Sequence, residues 1–476
     1  MLFNSLQFAG FLPTVFVLYW FCLGGARERE NQNLLLLVAS YIFYGWWDWR
    51  FLGLIVLSSA VDFVAGLAIG GSERPQRRKA WLGLSLAVNL GVLGAFKYCE
   101  FFVESLVAAL RLAGVETDLR SLAIVLPVGI SFYTFQTLSY TIDVYRRRIR
   151  PTRDGVEFFA FVAFFPQLVA GPIERATNLL PQFEQQRHLQ TEDAKDALRR
   201  ILWGLFKKVV VADNCATRVD VIFDGYASLG ASTLALGLVY FAFQIYGDFS
   251  GYSDIAIGTA RLFGFKVTRN FALPYFSRDI AEFWRRWHIS LTTWFRDYLY
   301  IPMGGSRGTK GETIRNTILV FVVSGLWHGA NWTFVVWGLL HALYFLPLLL
   351  GRKNRRYLDP IAEGRCLPTA GDFLRIATTF GLTSFAWVFF RAPDLDVALA
   401  YATSLVSPSL LDTPSNLAML PVIALLAAWE WRTRGSEHGL SISAWPLAAR
   451  WAVYVGGAYL VLLYGARERP FVYFQF

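Results

Sequence analysis

FWRRWHISLTTWFRDYLYIPMGG (283–305) and VVSGLWHGANW (322–332) are the stretches on which the reading of this chain turns. They set His288 and His328 in tryptophan-rich, largely apolar surroundings forty positions apart. A histidine in such surroundings is costly unless it hydrogen-bonds or takes part in chemistry. Of the five histidines, two of the other three, His188 and His438, lie in polar, charged stretches. A near-neutral proton acceptor inside an apolar protein points first to acid/base catalysis.

The apolar character extends along the whole chain. Its 476 residues are 55% hydrophobic, 17% aromatic and 17% charged. Soluble domains carry about 25% charged residues, so this is a polytopic membrane protein. A spanning helix takes roughly 20 mostly apolar residues. Candidates are 8–24, 33–47, 51–70, 80–96, 121–144, 157–171, 200–223 and 230–263. Further candidates are 315–325 with 331–350, 372–391, 416–431 and 446–464. About eleven spans are expected on this length criterion. The first is followed by no small-residue cleavage pattern and reads as a retained span.

Much of the net charge of +10 sits in short clusters between spans. These are Arg74 with Arg77, Arg78 and Lys79, then Arg146 to Arg150, then Arg352 to Arg356. By the positive-inside rule they read as cytoplasmic loops. No basic run is interleaved with exposed aromatics of a soluble domain, so a nucleic-acid partner is not expected. Cys22, Cys99, Cys215 and Cys366 are scattered without CxxC or Cys/His spacing, which supports neither a metal site nor a disulfide framework.

A single membrane domain is expected over 1–476, with a catalytic core at about 120–350 and C-terminal spans and an aromatic tail at 370–476. The polar stretch from Gln182 to Arg200 predicts an amphipathic cytoplasmic helix. PVGISFYTFQTLSYTIDVYRR (127–147) and YGDFSGYSDIAIG (246–258) are apolar but broken by polar residues, including Asp248 and Asp254. Such groups face a bundle interior or a wet cavity. Gly247 and Gly251, four apart, suit close helix packing.

Read as one helix, Asp279 to Tyr300 places Trp284, His288, Leu291 and Phe295 on a shared face. Asp279, Glu282, Arg285, Arg286, Arg296 and Asp297 forbid a plain span in lipid, so the segment is expected to be re-entrant, interfacial or enclosed by protein near the cytoplasmic side. Arg285 and Arg286 suit two roles: meeting the phosphates of an anionic donor, or anchoring to lipid headgroups. His328 has no charged residue within ten positions, and desolvation keeps such an imidazole neutral, as a general base requires. Gly325 and Gly329 flank it and are expected to leave room for a substrate. The competing reading is a core histidine bonded to a backbone carbonyl.

WRRWHISLTTWFRDYLYIPMGG followed by SGLWHGANWTFVVWG resembles the membrane-bound O-acyltransferases. More narrowly, it resembles the bacterial branch of alginate O-acetylation proteins with their peptidoglycan and D-alanine-transferring relatives. Further matches are LLLLVASYIFYGWWDWRFL (34–52), PVGISFYTFQTLSYTIDVYRR, FFPQLVAGPIER (164–175), YGDFSGYSDIAIG with RNFALPYFSRDIAEFW (269–284), and PFVYFQF (470–476).

The resemblance implies an all-α polytopic bundle with a central tunnel and re-entrant helices in a bacterial cytoplasmic (inner) membrane. His328 in LWHG matches the family's catalytic histidine, and His288 in WHISL its second polar position. The implied activity is O-acetyl transfer from a cytoplasmic thioester, acetyl-CoA or an acyl carrier, with no bound cofactor. Trp284, Arg285, Arg286, Asp297 and Trp327 are the expected donor-side residues. An outer-face SGNH-hydrolase-like acetyltransferase is the implied partner, and it would place the acyl group on a polysaccharide. The tail resembles those of envelope-acylation systems. Either Phe471, Phe474 and Phe476 wedge it into the outer mouth with Tyr473 as acyl relay, or the tail is an interfacial aromatic anchor. Transfer of D-alanine or another acyl group is the nearest alternative. A polysaccharide or lipid transporter, for which Asp62, Asp248 and Asp254 would be suited, is the alternative from another class.

Overall fold

A backbone in lipid must satisfy its own hydrogen bonds, and a chain this apolar meets that demand with helices. A computed structural model describes residues 1–117, 125–168, 171–465 and 469–472, and among them every regular element is helical. Five helical stretches are long and apolar enough to cross a membrane: Glu28–Gly70, Pro75–Leu112, Trp332–Leu350, Ala370–Arg391 and Leu447–Tyr464. None of the last is buried, and it exposes Trp451, Val455, Tyr459 and Leu462 as a lipid-facing helix does. The chain is a multi-pass membrane protein.

The chain forms two compact units, Met1–Ala197 with Thr259–Thr268, and Leu198–Gly258 with Arg269–Phe476. In the first, the helices Leu52–Gly70, Pro75–Leu93 and Ile130–Tyr145 are tied together by a buried acid. The Asp62 carboxylate accepts from Asn89 Nδ2 at 2.8 Å, from Thr141 Oγ1 at 2.7 Å, and from Ser85 Oγ. Arg78, expected as a loop charge, is instead buried. Its guanidinium donates to the carbonyls of Ile69 and Tyr145, each at 2.7 Å, and so closes two helix ends whose last carbonyls have no partner within the helix.

Three sequence expectations need correction here. The expected span 157–171 is interrupted: the helix Gly155–Ala163 stops and only one further turn, Phe165–Leu168, follows. Pro166 lacks the N–H that would continue the ladder, and its ring crowds the carbonyl four residues back. The stretch 182–200 is not one helix. Ala176–Phe183 ends first, buried Arg187 donates to Asn33 Oδ1 at 2.7 Å, and the next helix, Thr191–Leu205, starts later. The expected span 121–144 is helical from Ile130, after Gly129 at φ 76, a left-handed conformation open to glycine; its start lies partly outside the described residues.

In the second unit, Lys310–His328 and Trp332–Leu350 form a close antiparallel pair. A Cβ on Gly325 would sit 2.1 Å from the Phe334 carbonyl oxygen, and one on Gly338 would sit 2.3 Å from that of Phe321. Glycine lets the two backbones touch. A capping box, Thr309 with Glu312, starts the first helix, and Asn331 caps the second.

The two ends of this unit are chemically distinct. At one, Arg434 bonds the carbonyls of Ile361, Ala362 and Arg365 in the loop 351–369. At the other, Asp220 receives Arg391 at 3.1 Å and Arg469 at 2.8 Å. Ala370–Arg391, 22 residues long, joins the two and measures about 33 Å at ~1.5 Å per residue.

Candidate active site

The segment around His288 is broken, not a continuous helix. Ile280–Arg286 and Ile289–Phe295 are seven residues each, and His288 lies between them at φ 42. The one-face alignment of Trp284, His288, Leu291 and Phe295 therefore does not form. The break is held from outside. The Asn270 carbonyl accepts the Ile289 N–H at 2.9 Å, while Asn270 Oδ1 accepts from Ser290 Oγ at 3.0 Å and lies 3.1 Å from His288 Nδ1. Asn270 Nδ2 in turn donates to Ser253 Oγ at 3.2 Å. With Oδ1 as an acceptor, this network assigns the ring proton to Nδ1, and Nε2 keeps its lone pair.

His328, the last residue of its helix, comes alongside. The two imidazole centroids are 6.3 Å apart, and Trp327 lies 5.8 Å from His288 and 5.0 Å from His328. Trp337 and Phe390 stand at 5.1 and 5.4 Å from His328, and Phe249 meets His288 edge-on at 4.6 Å. Both histidines are buried. The site is thus an imidazole pair walled by aromatic rings. Gly325 and Gly329, expected to leave room for a substrate, do not: a Cβ on Gly329 would lie 2.1 Å from Phe334 Cε2, and Gly325 faces the Phe334 backbone. Protein fills that space.

The other expected site residues lie elsewhere. Arg285 donates to the carbonyls of Asn354 at 2.6 Å and Tyr357 at 2.7 Å, in the loop 351–369. Burial lowers its pKa from the ordinary arginine value, yet a guanidinium remains charged. Arg286 pairs with Glu282 at 2.6 Å, and Asp297 with its neighbour Arg296 at 2.7 Å. Trp284 packs on Trp337 and on His341, at 5.8 and 4.9 Å. Tyr473, Phe474 and Phe476 lie outside the described residues. Phe471 is buried against Tyr252 at 4.7 Å and Phe249 at 5.5 Å, so the tail begins one ring away from His288.

The same unit holds two polar cavities. One, of about 30 Å³, is bordered by Arg200, Lys207, Asp254, Arg269 and Asn270, and also by Glu437 at the end near the loop 351–369. The second, of about 270 Å³, is bordered by Lys208, Asp213, Gln244, Asp248 and Val472, with Asp220 and Arg469 at the opposite end. Neighbouring lysines in the π-helical stretch Phe206–Ala212 serve one cavity each. Lys207 pairs with Asp254 at 2.6 Å, while Lys208 pairs with Asp213 at 2.7 Å and Asp248 at 2.8 Å. Gly247 and Gly251 do serve close packing, since a Cβ on Gly251 would lie 2.8 Å from the Gly204 carbonyl.

Sequence reasoning missed Asn270, the two lysines and His341. His341 is fully buried among Phe283, Trp284 and Trp337, and neither ring nitrogen has a hydrogen-bond partner among the described residues. Its signal was available: it is a further histidine in an apolar run, thirteen positions after His328.

An imidazole pair walled by aromatic rings in a multi-pass membrane protein is an arrangement suited to acyl transfer, and the comparisons give the class. Residues 146–357 match the model of the membrane-bound O-acyltransferase family. The chain belongs to that family, in its alginate O-acetylase-like branch, and is an acyltransferase. It is 46% identical to the probable alginate O-acetylase of Azotobacter vinelandii over 82% of this chain and 74% of that protein. It is 35% identical to the peptidoglycan O-acetyltransferase of Helicobacter pylori, over 85% of this chain and 80% of that one. Identity to the teichoic acid D-alanyltransferase of Bacillus subtilis is 27%, over 55% of this chain and 68% of that one.

Proposed function

We propose that this acyltransferase takes an acetyl group from a cytoplasmic thioester, acetyl-CoA or an acyl carrier, and passes it across the bacterial cytoplasmic membrane for O-acetylation of an envelope or secreted polysaccharide. The observation that carries the reading is the imidazole pair walled by aromatic rings, in a unit that holds a polar cavity towards each of its ends. Under the positive-inside rule, the end with the basic loop 351–369 faces the cytoplasm and receives the donor. Arg285 and Arg286 are already engaged by loop carbonyls and Glu282.

In the proposed reaction His328 takes the proton of a hydroxyl as its oxygen attacks the thioester carbonyl carbon. The C–O bond forms, the C–S bond breaks, and the thiolate leaves carrying the electron pair, to be protonated by the imidazolium. The tetrahedral oxyanion needs N–H or O–H donors. His288, whose proton faces Asn270 from Nδ1, offers Nε2 as an acceptor and is a candidate to orient the attacking hydroxyl, and the Trp327 ring confines the acyl group. The attacking hydroxyl is that of Tyr473. Phe471, packed on Phe249 and Tyr252, supports this by fixing the start of the tail beside His288. An aryl ester is a good acyl donor, and an outer-face SGNH-hydrolase-like partner would accept the group and deliver it to the polymer. The transport alternative loses its motive in Asp62 and Asp254, whose carboxylates are held by Asn89 and Thr141 and by Arg200 and Lys207.

The test is to incubate purified protein in detergent with acetyl-CoA and examine the C-terminal peptide by mass spectrometry. An acetyl group on Tyr473, absent from Tyr473→Phe and from His328→Ala, is the expected result. Normal polymer acetylation by Tyr473→Phe with the outer partner present would reduce the tail to an anchor.

A further inference from the structure

The buried Lys208–Asp213–Asp248 cluster has a part to play in that reading. Asp248 and Phe249 are neighbours on the helix Ala231–Leu262, pointing to different surroundings. Phe249 meets His288 and Phe471, whereas the Asp248 carboxylate pairs with Lys208 at 2.8 Å through Oδ1. Its other oxygen, Oδ2, accepts the backbone N–H of Val472 at 2.6 Å. Asp248, Lys208 and Val472 are all buried. A charge-assisted bond to a backbone N–H is stronger and shorter than a neutral one, and here it grips the residue just before Tyr473. The contact with Lys208 orients the carboxylate, and Asp213 braces Lys208 from the other side at 2.7 Å. Arg469 ties the start of the same tail to Asp220 at 2.8 Å.

We propose that Asp248 is a positioning residue, a latch that sets the register of the C-terminal tail against the histidine pair. This rests on the tail reading given above. Three contacts define the register: Arg469 on Asp220, Phe471 between Phe249 and Tyr252, and the Val472 N–H on Asp248. Holding the backbone at 472 lowers the orientational entropy that a nucleophile carried by the tail has left to lose.

The latch is tested from both partners. Asp248→Ala removes the acceptor. Val472→Pro removes the donor, because proline has no N–H, and it leaves the buried ion cluster untouched should the first variant fold poorly. Val472→Ala keeps the N–H and is the control. Hydrogen exchange at the Val472 amide should speed up on the order of tenfold or more in Asp248→Ala. In both latch variants kcat for polymer acetylation, with the outer partner present, should fall on the order of a hundredfold while KM for acetyl-CoA is unchanged. The double variant should be no worse than either single one, because both remove the same bond. Unchanged exchange in Asp248→Ala, or full kcat in Val472→Pro, overturns the latch. Normal transfer by Tyr473→Phe would overturn the relay reading instead, and the latch would still be decided by the exchange measurement.

Discussion

Asn270 Oδ1 lies 3.1 Å from His288 Nδ1, and the same asparagine's carbonyl holds the N–H of Ile289, the residue that restarts the helix after the break. One side chain and its own backbone thus fix both the tautomer and the position of an imidazole in the candidate site.

Asn270→Ala should therefore lower kcat on the order of tenfold or more while leaving KM for the thioester near its original value, because a ring in the wrong tautomer or orientation fails mainly in the transition state. In a His288→Ala background the same change should add little. Equal additional losses in both backgrounds would show that Asn270 acts independently of His288.

His328→Ala should cost about two to four powers of ten in acetyl transfer, the range for losing a general base, with thermal stability in detergent nearly intact. His288→Ala should retain more turnover, since water or another group can partly replace it. Steady-state kinetics on matched, folded samples decide the order; wild-type turnover in His328→Ala would remove it from the mechanism.

Gly338→Ala places a methyl 2.3 Å from the Phe321 carbonyl oxygen, and Gly325→Ala places one 2.1 Å from that of Phe334. Backbone cannot yield as a flexible side chain does, so each should destabilise by at least ~1–3 kcal/mol and disturb His328 at the end of the same helix. Gly381→Ala, with nothing within 4 Å of the added carbon, is the matched control. Melting midpoints by scanning fluorimetry should separate the two classes.

Asp62→Ala should reduce the yield of folded protein and lower its melting midpoint, because the donors on Ser85, Asn89 and Thr141 lose a buried acceptor. Each unsatisfied group costs about 1–3 kcal/mol. Turnover per folded molecule should stay unchanged. A large loss of kcat in a well-folded Asp62→Ala protein would instead give this acid a direct part in the reaction.

The helical membrane class was legible from composition and span-length apolar runs, because lipid leaves the backbone few alternatives. The histidine pair was legible too: an imidazole in WRRWHISL and another in GLWHGANW stand out against apolar neighbours. Periodicity misled at His288. A 3.6-residue pattern presumes a continuous helix, and the break there is imposed by Asn270, eighteen residues away in sequence. It misled at Gly325 and Gly329 as well, since a glycine reads the same whether it makes room for a substrate or for Phe334.

Residue type and hydrophobic length by themselves determined that this chain enters a membrane, which segments are helical candidates and which side chains are candidates for acid/base chemistry. Those properties depend on local transfer energies and side-chain pKa ranges that each residue carries with it. Only the tertiary structure decided which charges are spoken for and which groups meet. Arg285 is consumed by the carbonyls of Asn354 and Tyr357, Arg78 closes two helix ends, and Asp248 reaches across 224 positions to the N–H of Val472. A buried polar group takes whatever partner the packing brings within about 3 Å, and that partner is set by the fold, far along the chain from the residue it satisfies.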